Sequence, residues 1–306
     1  MEVKDWTYEE MPEFTQNVEG ATIVETSGDE IEIKYLHDVA YQSADGATLR
    51  LQVLSPTSRN GIAGPLPCIV FVKGSAWRTQ KLYMLIPQLA QIARRGYVVV
   101  EVEYRPASQA AFPAQIQDCQ NAVRHMRAHA DEFGIDPEKI IVAGNSSGGH
   151  TAVFASFYDA GGSAYPGVSS RVRGVIDLYG AVSLLPDDAF PITSDHHTPE
   201  SPEGVLMGGA DMRADPALRR VATASCYITP ELDIPPMLIA HGTKDRKVNT
   251  EVSVDLYRRL RECGKDVELY LVRGADHGVA EFYTERMVDI YDAFIRRCLA
   301  PCRMWA

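Results

Sequence analysis

The run Ile140-Ile141-Val142-Ala143 leads directly into Gly144-Asn145-Ser146-Ser147-Gly148-Gly149, and Thr151-Ala152-Val153-Phe154-Ala155 follows. A short β-branched run reads as a buried strand, and the segment after the glycines is compatible with a helix. Between them, Gly144 to Gly148 fits G-x-S-x-G. The requirement behind that pattern is steric: a serine on a tight strand-to-helix turn adopts a strained backbone, and small residues two before and two after let the chain pass close to itself. The hydroxyl of Ser146 then stands clear of the surface. The pentapeptide alone is weak, and the strand before it and the helix after it give it weight.

On both sides of this turn, apolar runs of strand length alternate with longer segments of helical period, the pattern of a mostly parallel sheet with crossover helices. Ile31 to Tyr41 and Ala47 to Leu54 alternate as strands and are joined at Ala44-Asp45-Gly46, so the chain should open with an antiparallel hairpin. Further strands are expected at Cys68–Val72, Tyr97–Glu103, Gly174–Tyr179, Met237–Ala240 and Val267–Val272. Helices are expected at Met84–Arg95, Pro113–Glu132, Thr250–Glu262 and Ala280–Leu299. The whole of 1–306 reads as one domain, with 1–30 as an N-terminal extension. Residues 181–235 form an insertion rich in Pro, Asp, Ser and Gly, among them Pro186, Asp187, Asp188, Pro191, Asp195, His196 and His197. Long loops inside compact domains are usually functional, so a partial lid over the site is expected; a solvated excursion is the plainer alternative.

Composition narrows the partners. Apolar residues are 45% and charged residues 23% of the 306, ordinary for a globular protein with a sizeable core. With 41 acidic and 30 basic side chains the formal charge is −11, a field that repels phosphate backbones and anionic membranes. No nucleic-acid partner is expected. No run reaches the 18 or more apolar residues of a membrane span, and Met1 to Gly20 lacks the basic start and apolar stretch of a signal peptide. The six cysteines have no zinc-like spacing, so neither a metal nor an organic cofactor is expected and reduced cytoplasmic thiols are the reading. Cys298 and Cys302 flank Pro301 closely and could meet only if the chain bends there. A homodimer is compatible with this composition.

A serine hydroxyl needs a base within reach, itself oriented by a carboxylate. Asp245 lies in His241-Gly242-Thr243-Lys244-Asp245, just after the run Met237–Ala240. His277 lies in Arg273-Gly274-Ala275-Asp276-His277-Gly278, after the last strand. The order Ser146, Asp245, His277 is the one expected for this sheet topology, with all three at carboxyl ends of strands. The chain has eight histidines. His37, His125 and His129 sit in early strand or helix patterns, and His150 is too far along its helix to face the hydroxyl. His241 is the rival base, although it reads better as a brace of its loop, and Asp276 is the rival acid, although it adjoins His277 and reaches the far ring nitrogen poorly.

Donors for a tetrahedral oxyanion should come from the backbone N–H of Ser147 and from the loop Lys73-Gly74-Ser75-Ala76-Trp77 after the third strand, whose small side chains let backbone N–H groups approach a ligand closely. Gly74 and Trp77 of that loop are expected beside the substrate. A plain tight turn is the alternative.

Taken together, the KGSAW segment, Tyr104-Arg105-Pro106, Phe112-Pro113-Ala114 through Asp118, GNSSGGH, HGTKD and ADHG resemble the α/β-hydrolase fold. Within it the chain is similar to hormone-sensitive-lipase-like esterases and to feruloyl or acetyl-xylan esterase-like hydrolases. The resemblance implies a mostly parallel eight-stranded sheet with an antiparallel start, helices on both faces and a small lid-like insertion. It also implies a serine carboxylesterase working through an acyl-enzyme on a small-molecule or oligosaccharide ester. Ser146, Asp245 and His277 match the triad; Ser75, Ala76 and Ser147 match the oxyanion positions. The family's usual HGGG reads Lys73-Gly74-Ser75-Ala76 here, a lysine where a bracing histidine is common. An amidase or peptidase of the same fold and a non-catalytic receptor on a hydrolase scaffold stay open; such receptors typically lack a triad member, and none is missing.

Overall fold

The computed structural model describes residues 3–185, 193–278 and 280–300. Residues 3–30 form no strand and no α-helix and lie exposed apart from Gly28. Strand β1 (Glu32–Ala44) returns as β2 (Ala47–Thr57) through Asp45 and Gly46, at φ 50° and 78°, the two-residue geometry that suits the twist of a hairpin. The remaining strands are β3 (Leu66–Val72), β4 (Val98–Val102), β5 (Ile135–Asn145), β6 (Val175–Leu178), β7 (Met237–Gly242) and β8 (Val267–Val272). They form one sheet in the order β1-β2-β4-β3-β5-β6-β7-β8, antiparallel from β1 through β2 to β4 and parallel thereafter.

Alternation along the strands explains the layers. Ile69 and Phe71 of β3, Val99 of β4 and Ile141 of β5 pack with Leu89, Tyr291 and Phe294 on one face. The intervening residues Val70, Val98 and Ile140 face Ala122, Val123 and Met126, and Val142 and Ile239 face Phe154 and Leu256. Thus α1 (Ile86–Ala93) and α8 (Glu285–Leu299) cover one side. The other carries α2 (Ala114–Ala128), α4 (Ser147–Ala155) and α7 (Thr250–Glu262), with the short α3 (Ala130–Phe133) beside α2. Both faces are buried, so the central strands read as continuous apolar runs.

Two expected helices are divided. The segment 113–132 breaks at His129, whose ring Nδ1 and backbone N–H both take the carbonyl of His125 (2.9 and 3.0 Å) and close α2 there. The last segment restarts at Thr284, whose hydroxyl accepts from the N–H of Met287, so Ala280–Tyr283 is a separate turn before α8. The insertion carries two short helices, α5 (Pro202–Leu206) and α6 (Pro216–Val221). Pro186, Asp187, Asp188, Pro191 and Cys302 lie outside the described residues. Cys298 is a buried free thiol.

β4 and β5 flank β3, and past their carboxyl ends the chain after β3 runs to α1 on one face of the sheet while the chain after β5 runs to α4 on the other. In open α/β sheets that is where a crevice forms.

Candidate active site

Ser146 stands between β5 and α4 at φ 55°, ψ −129°, a conformation most L-residues avoid. Its own backbone anchors it: the N–H donates to Leu178 O (2.9 Å) and the carbonyl accepts from Ala181 N (3.2 Å). The flanking glycines are needed for space. A Cβ at Gly144 would lie 2.2 Å from Gly148 O, and one at Gly148 would lie 2.0 Å from Val72 O. The hydroxyl emerges half-buried at the N-terminus of α4.

The loops after β7 and β8 deliver the partners. His277 Nε2 lies 2.8 Å from Ser146 Oγ, and His277 Nδ1 lies 2.7 Å from Asp245 Oδ2. Asp245 is held from every side: its Oδ1 accepts from the N–H groups of Lys247 (2.8 Å) and Val248 (2.9 Å), and His241 Nε2 is 3.1 Å from Oδ2. Burial alone would raise the Asp245 pKa, but hydrogen bonds from His241 and His277 outweigh it and hold the carboxyl well below the usual carboxylate range. His241 is fully buried, its Nδ1 2.7 Å from Ser253 Oγ, and braces Asp245 from below. Asp276 instead pairs with Arg246, whose Nε is 2.6 Å from Oδ2, and accepts the N–H of His277. His150 packs edge-on against Trp77 with ring centres 5.2 Å apart and sits 3.0 Å from Ala222 O.

The loop after β3 meets the turn at Ser146 closely. Gly74 N–H donates to Asn145 Oδ1 (2.9 Å), and a Cβ on Gly74 would lie 2.4 Å from Asn145 O. Gly74, expected beside the substrate, therefore packs against the turn instead. Ser75 departs from expectation too: its N–H donates to Ser147 Oγ at 2.9 Å, so that donor is engaged. The cause is the hydroxyl of Ser147, which brings an acceptor up to the loop. The N–H groups of Ala76 and Ser147 have no hydrogen-bond partner among the described residues, and both residues line the cavity of about 260 Å³ that contains Ser146 and His277. Trp77 lines it as well. Ala76 and Trp77 take φ 55° and 52°, the left-handed region where glycine would be unstrained. Lys73 is buried and donates from Nζ to Gly74 O (3.1 Å), bracing the loop from within.

Residues of the insertion complete the walls. Thr193, Ser194, His196 and Glu203 line the cavity at Ser146, whereas Asp195 and His197 line only a second, adjoining cavity. Sequence reasoning singled out His196 but missed Glu203 and Asn145. Asn145 had a local signal, a polar side chain inside the turn; Glu203 had none, since only folding brings the insertion over the strand ends. Among the described residues, no group of His, Cys, Asp or Glu is arranged to hold a metal.

This geometry can be set beside known proteins. A family model described as BD-FAE matches residues 51–260. The chain belongs to the BD-FAE family. It is 29% identical over 226 residues to Esterase LipC of Mycobacterium tuberculosis, covering 70% of this chain and 53% of that one. The chain thus spans about half the length of the curated relatives it matches. Among solved structures it resembles a truncated carbohydrate esterase from gut microbiota (TM-score 0.74, 24% identity, covering 87% of this chain and 96% of that one). It also resembles the esterase Est2 of Thermogutta terrifontis (TM-score 0.68, 23% identity, 90% and 95% covered). The fold is the α/β-hydrolase fold, with the antiparallel start and eight strands that the sequence implied. No helix among the described residues is long and apolar enough to cross a membrane.

Proposed function

We propose that this chain is a serine carboxylesterase that hydrolyses short-chain or sugar-linked carboxylic esters, of the acetyl or feruloyl kind, through an acyl-enzyme. The observation that carries the reading is the relay of 2.8 Å from Ser146 to His277 and 2.7 Å from His277 to Asp245 beside a cavity. In this reading neutral His277 takes the proton of Ser146 through Nε2 as Oγ attacks the ester carbonyl. Asp245, ionised, holds the Nδ1–H tautomer and offsets the imidazolium charge. The backbone N–H groups of Ala76 and Ser147, with the N-terminus of α4 behind Ser147, stabilise the oxyanion. His277 returns the proton to the leaving alcohol, and a water activated the same way releases the acid. Residues 193–235 of the insertion serve as a polar partial cover, and the cavity of about 260 Å³ beside Ser146 suits a short acyl group. The carbohydrate esterase among the structural neighbours supports a sugar alcohol part.

The test is labelling with a serine-directed phosphonate, then comparison of p-nitrophenyl acetate, butyrate and octanoate. Adduct on the Ser146 peptide is expected, with acetyl and butyryl esters at least about 10-fold faster than octanoyl, because methylenes without an apolar slot gain no transition-state binding. Label elsewhere, with Ser146 unmodified, would remove the assignment.

A further inference from the structure

A set of side chains outside the hydrolytic relay borders the same space. Beyond the cavity at Ser146 a second one of about 570 Å³ opens, and the two share His196, Glu203, Lys247 and Val248 as walls. Glu203 sits in the first turn of α5, which the hydroxyl of Ser201 caps by accepting from Gly204 N (3.0 Å). Its Oε1 is 3.0 Å from His196 Nδ1. The residue is only 8% exposed, yet Oε2 has no hydrogen-bond partner. Arg219, on α6, borders the second cavity. Its Nε is buried and unpartnered, and its guanidinium makes no ion pair with any described residue.

A buried polar atom left unsatisfied costs about 1–3 kcal/mol, and native proteins hold few of them. Here one acceptor and one donor, both without a protein partner, belong to side chains that line the second cavity, which adjoins the one at the nucleophile. Their chemistry restricts the ligand. An anionic group would satisfy Arg219 and be repelled by Glu203; a cationic group would do the reverse. A hydroxyl both donates and accepts, so neighbouring hydroxyls of a neutral polyol satisfy the two residues together.

We propose that Glu203, held by His196, and Arg219 form the subsite that recognises hydroxyl groups on the alcohol part of the substrate, with Glu203 the residue that determines specificity. The proposal rests on the esterase reading for its position beside Ser146, but binding of the alcohol part alone can be measured without any turnover.

The experiment has two arms, with folding of every variant checked by its melting temperature. In the first, kcat/KM is measured for partially acetylated xylotetraose and for ethyl acetate. Glu203→Ala, Glu203→Gln and Arg219→Gln are expected to lower the ratio of the two values by about 10-fold or more, mainly through KM for the oligosaccharide. In the second, calorimetry follows xylotetraose binding to Ser146→Ala, and adding Glu203→Gln is expected to weaken it about 10-fold. Equal losses on both esters in all three variants would make Glu203 and Arg219 structural only and overturn the proposal. So would a parent protein that prefers esters of uronic acids or of amino alcohols over the neutral oligosaccharide. If the parent hydrolyses no ester, the esterase reading fails, while the calorimetric arm still decides the subsite: unchanged binding in Glu203→Gln sinks it.

Discussion

At the scale of single residues, Asp245 meets two imidazoles and two backbone N–H groups with one carboxylate, and its charge is secured as a result. With its pKa held well below the carboxylate range, it stays ionised wherever the protein is folded at ordinary pH. Asp245 should then contribute no proton to the acid limb of activity. We expect log kcat/KM to rise with pH with unit slope to a plateau; a slope of two would mean that Asp245 titrates as well. Asp245→Asn should lower kcat by about 10⁴, because an amide favours the wrong imidazole tautomer. Asp276→Asn, which loses the salt bridge to exposed Arg246 but keeps an amide oxygen to accept the N–H of His277, should cost far less. Steady-state kinetics on the two variants compares them, and the reverse ranking would exchange their roles.

At the scale of elements, the strand–turn–helix unit from β5 to α4 works because three backbones pass within contact of one another. Its strain at Ser146 persists because Leu178 and Ala181 hold both backbone groups. Gly148→Ala places a methyl 2.0 Å from Val72 O, a backbone atom in the middle of the sheet that cannot move aside cheaply. The expected loss is about 3 kcal/mol, at the upper end for overpacking, read as a melting temperature lowered by several degrees or more. An unchanged melting temperature would show that β3 and α4 do not meet this way. The elements themselves were largely legible, with α7 appearing at the expected residues, since apolar period and capping residues are local signals. His129 was not legible as a helix end: its ring competes for the His125 carbonyl, and ring orientation is not written in a hydrophobic pattern.

At the scale of the whole molecule, four buried groups set how stability responds to pH. Burial pushes His125 and His150 down to about 4, and it pushes Asp177 up to about 7 and Glu101 up to about 8 against a lowering field from Lys73. Between pH 4 and 6.5 the unfolded chain binds extra protons at the two histidines, which favours folding as pH rises. Over the same range the folded chain keeps protons on Asp177 and Glu101 that the unfolded chain has released, which opposes it. The two trends offset each other until the histidines are neutral in both states. Above pH 6.5 the two acids dominate, and His196, raised by its hydrogen bond to Glu203, adds to the same trend, so stability should fall toward pH 8, on the order of 2 kcal/mol from the acids at about 1.4 per unit for each group still protonated. Glu101→Gln should remove most of that decline in denaturant melts at pH 6.5 and 8. A stability that rises over this interval would show that both carboxyls are already ionised in the folded protein.

The apolar runs, the turn at Ser146 and the order of nucleophile, acid and base belong to the sequence itself, because each depends on neighbours within a few residues or on the position of a loop after a strand. The α/β-hydrolase sheet and its family follow from those local patterns. Which donors remain free, and which insertion residues stand beside Ser146, only the tertiary structure decided. Ser75 loses its N–H to Ser147 because β3 and β5 lie side by side in the sheet. Glu203 comes to the cavity because the insertion folds back over the carboxyl ends of strands far from it in sequence. Such contacts depend on the path of the chain through space, and no periodicity or spacing encodes that path locally.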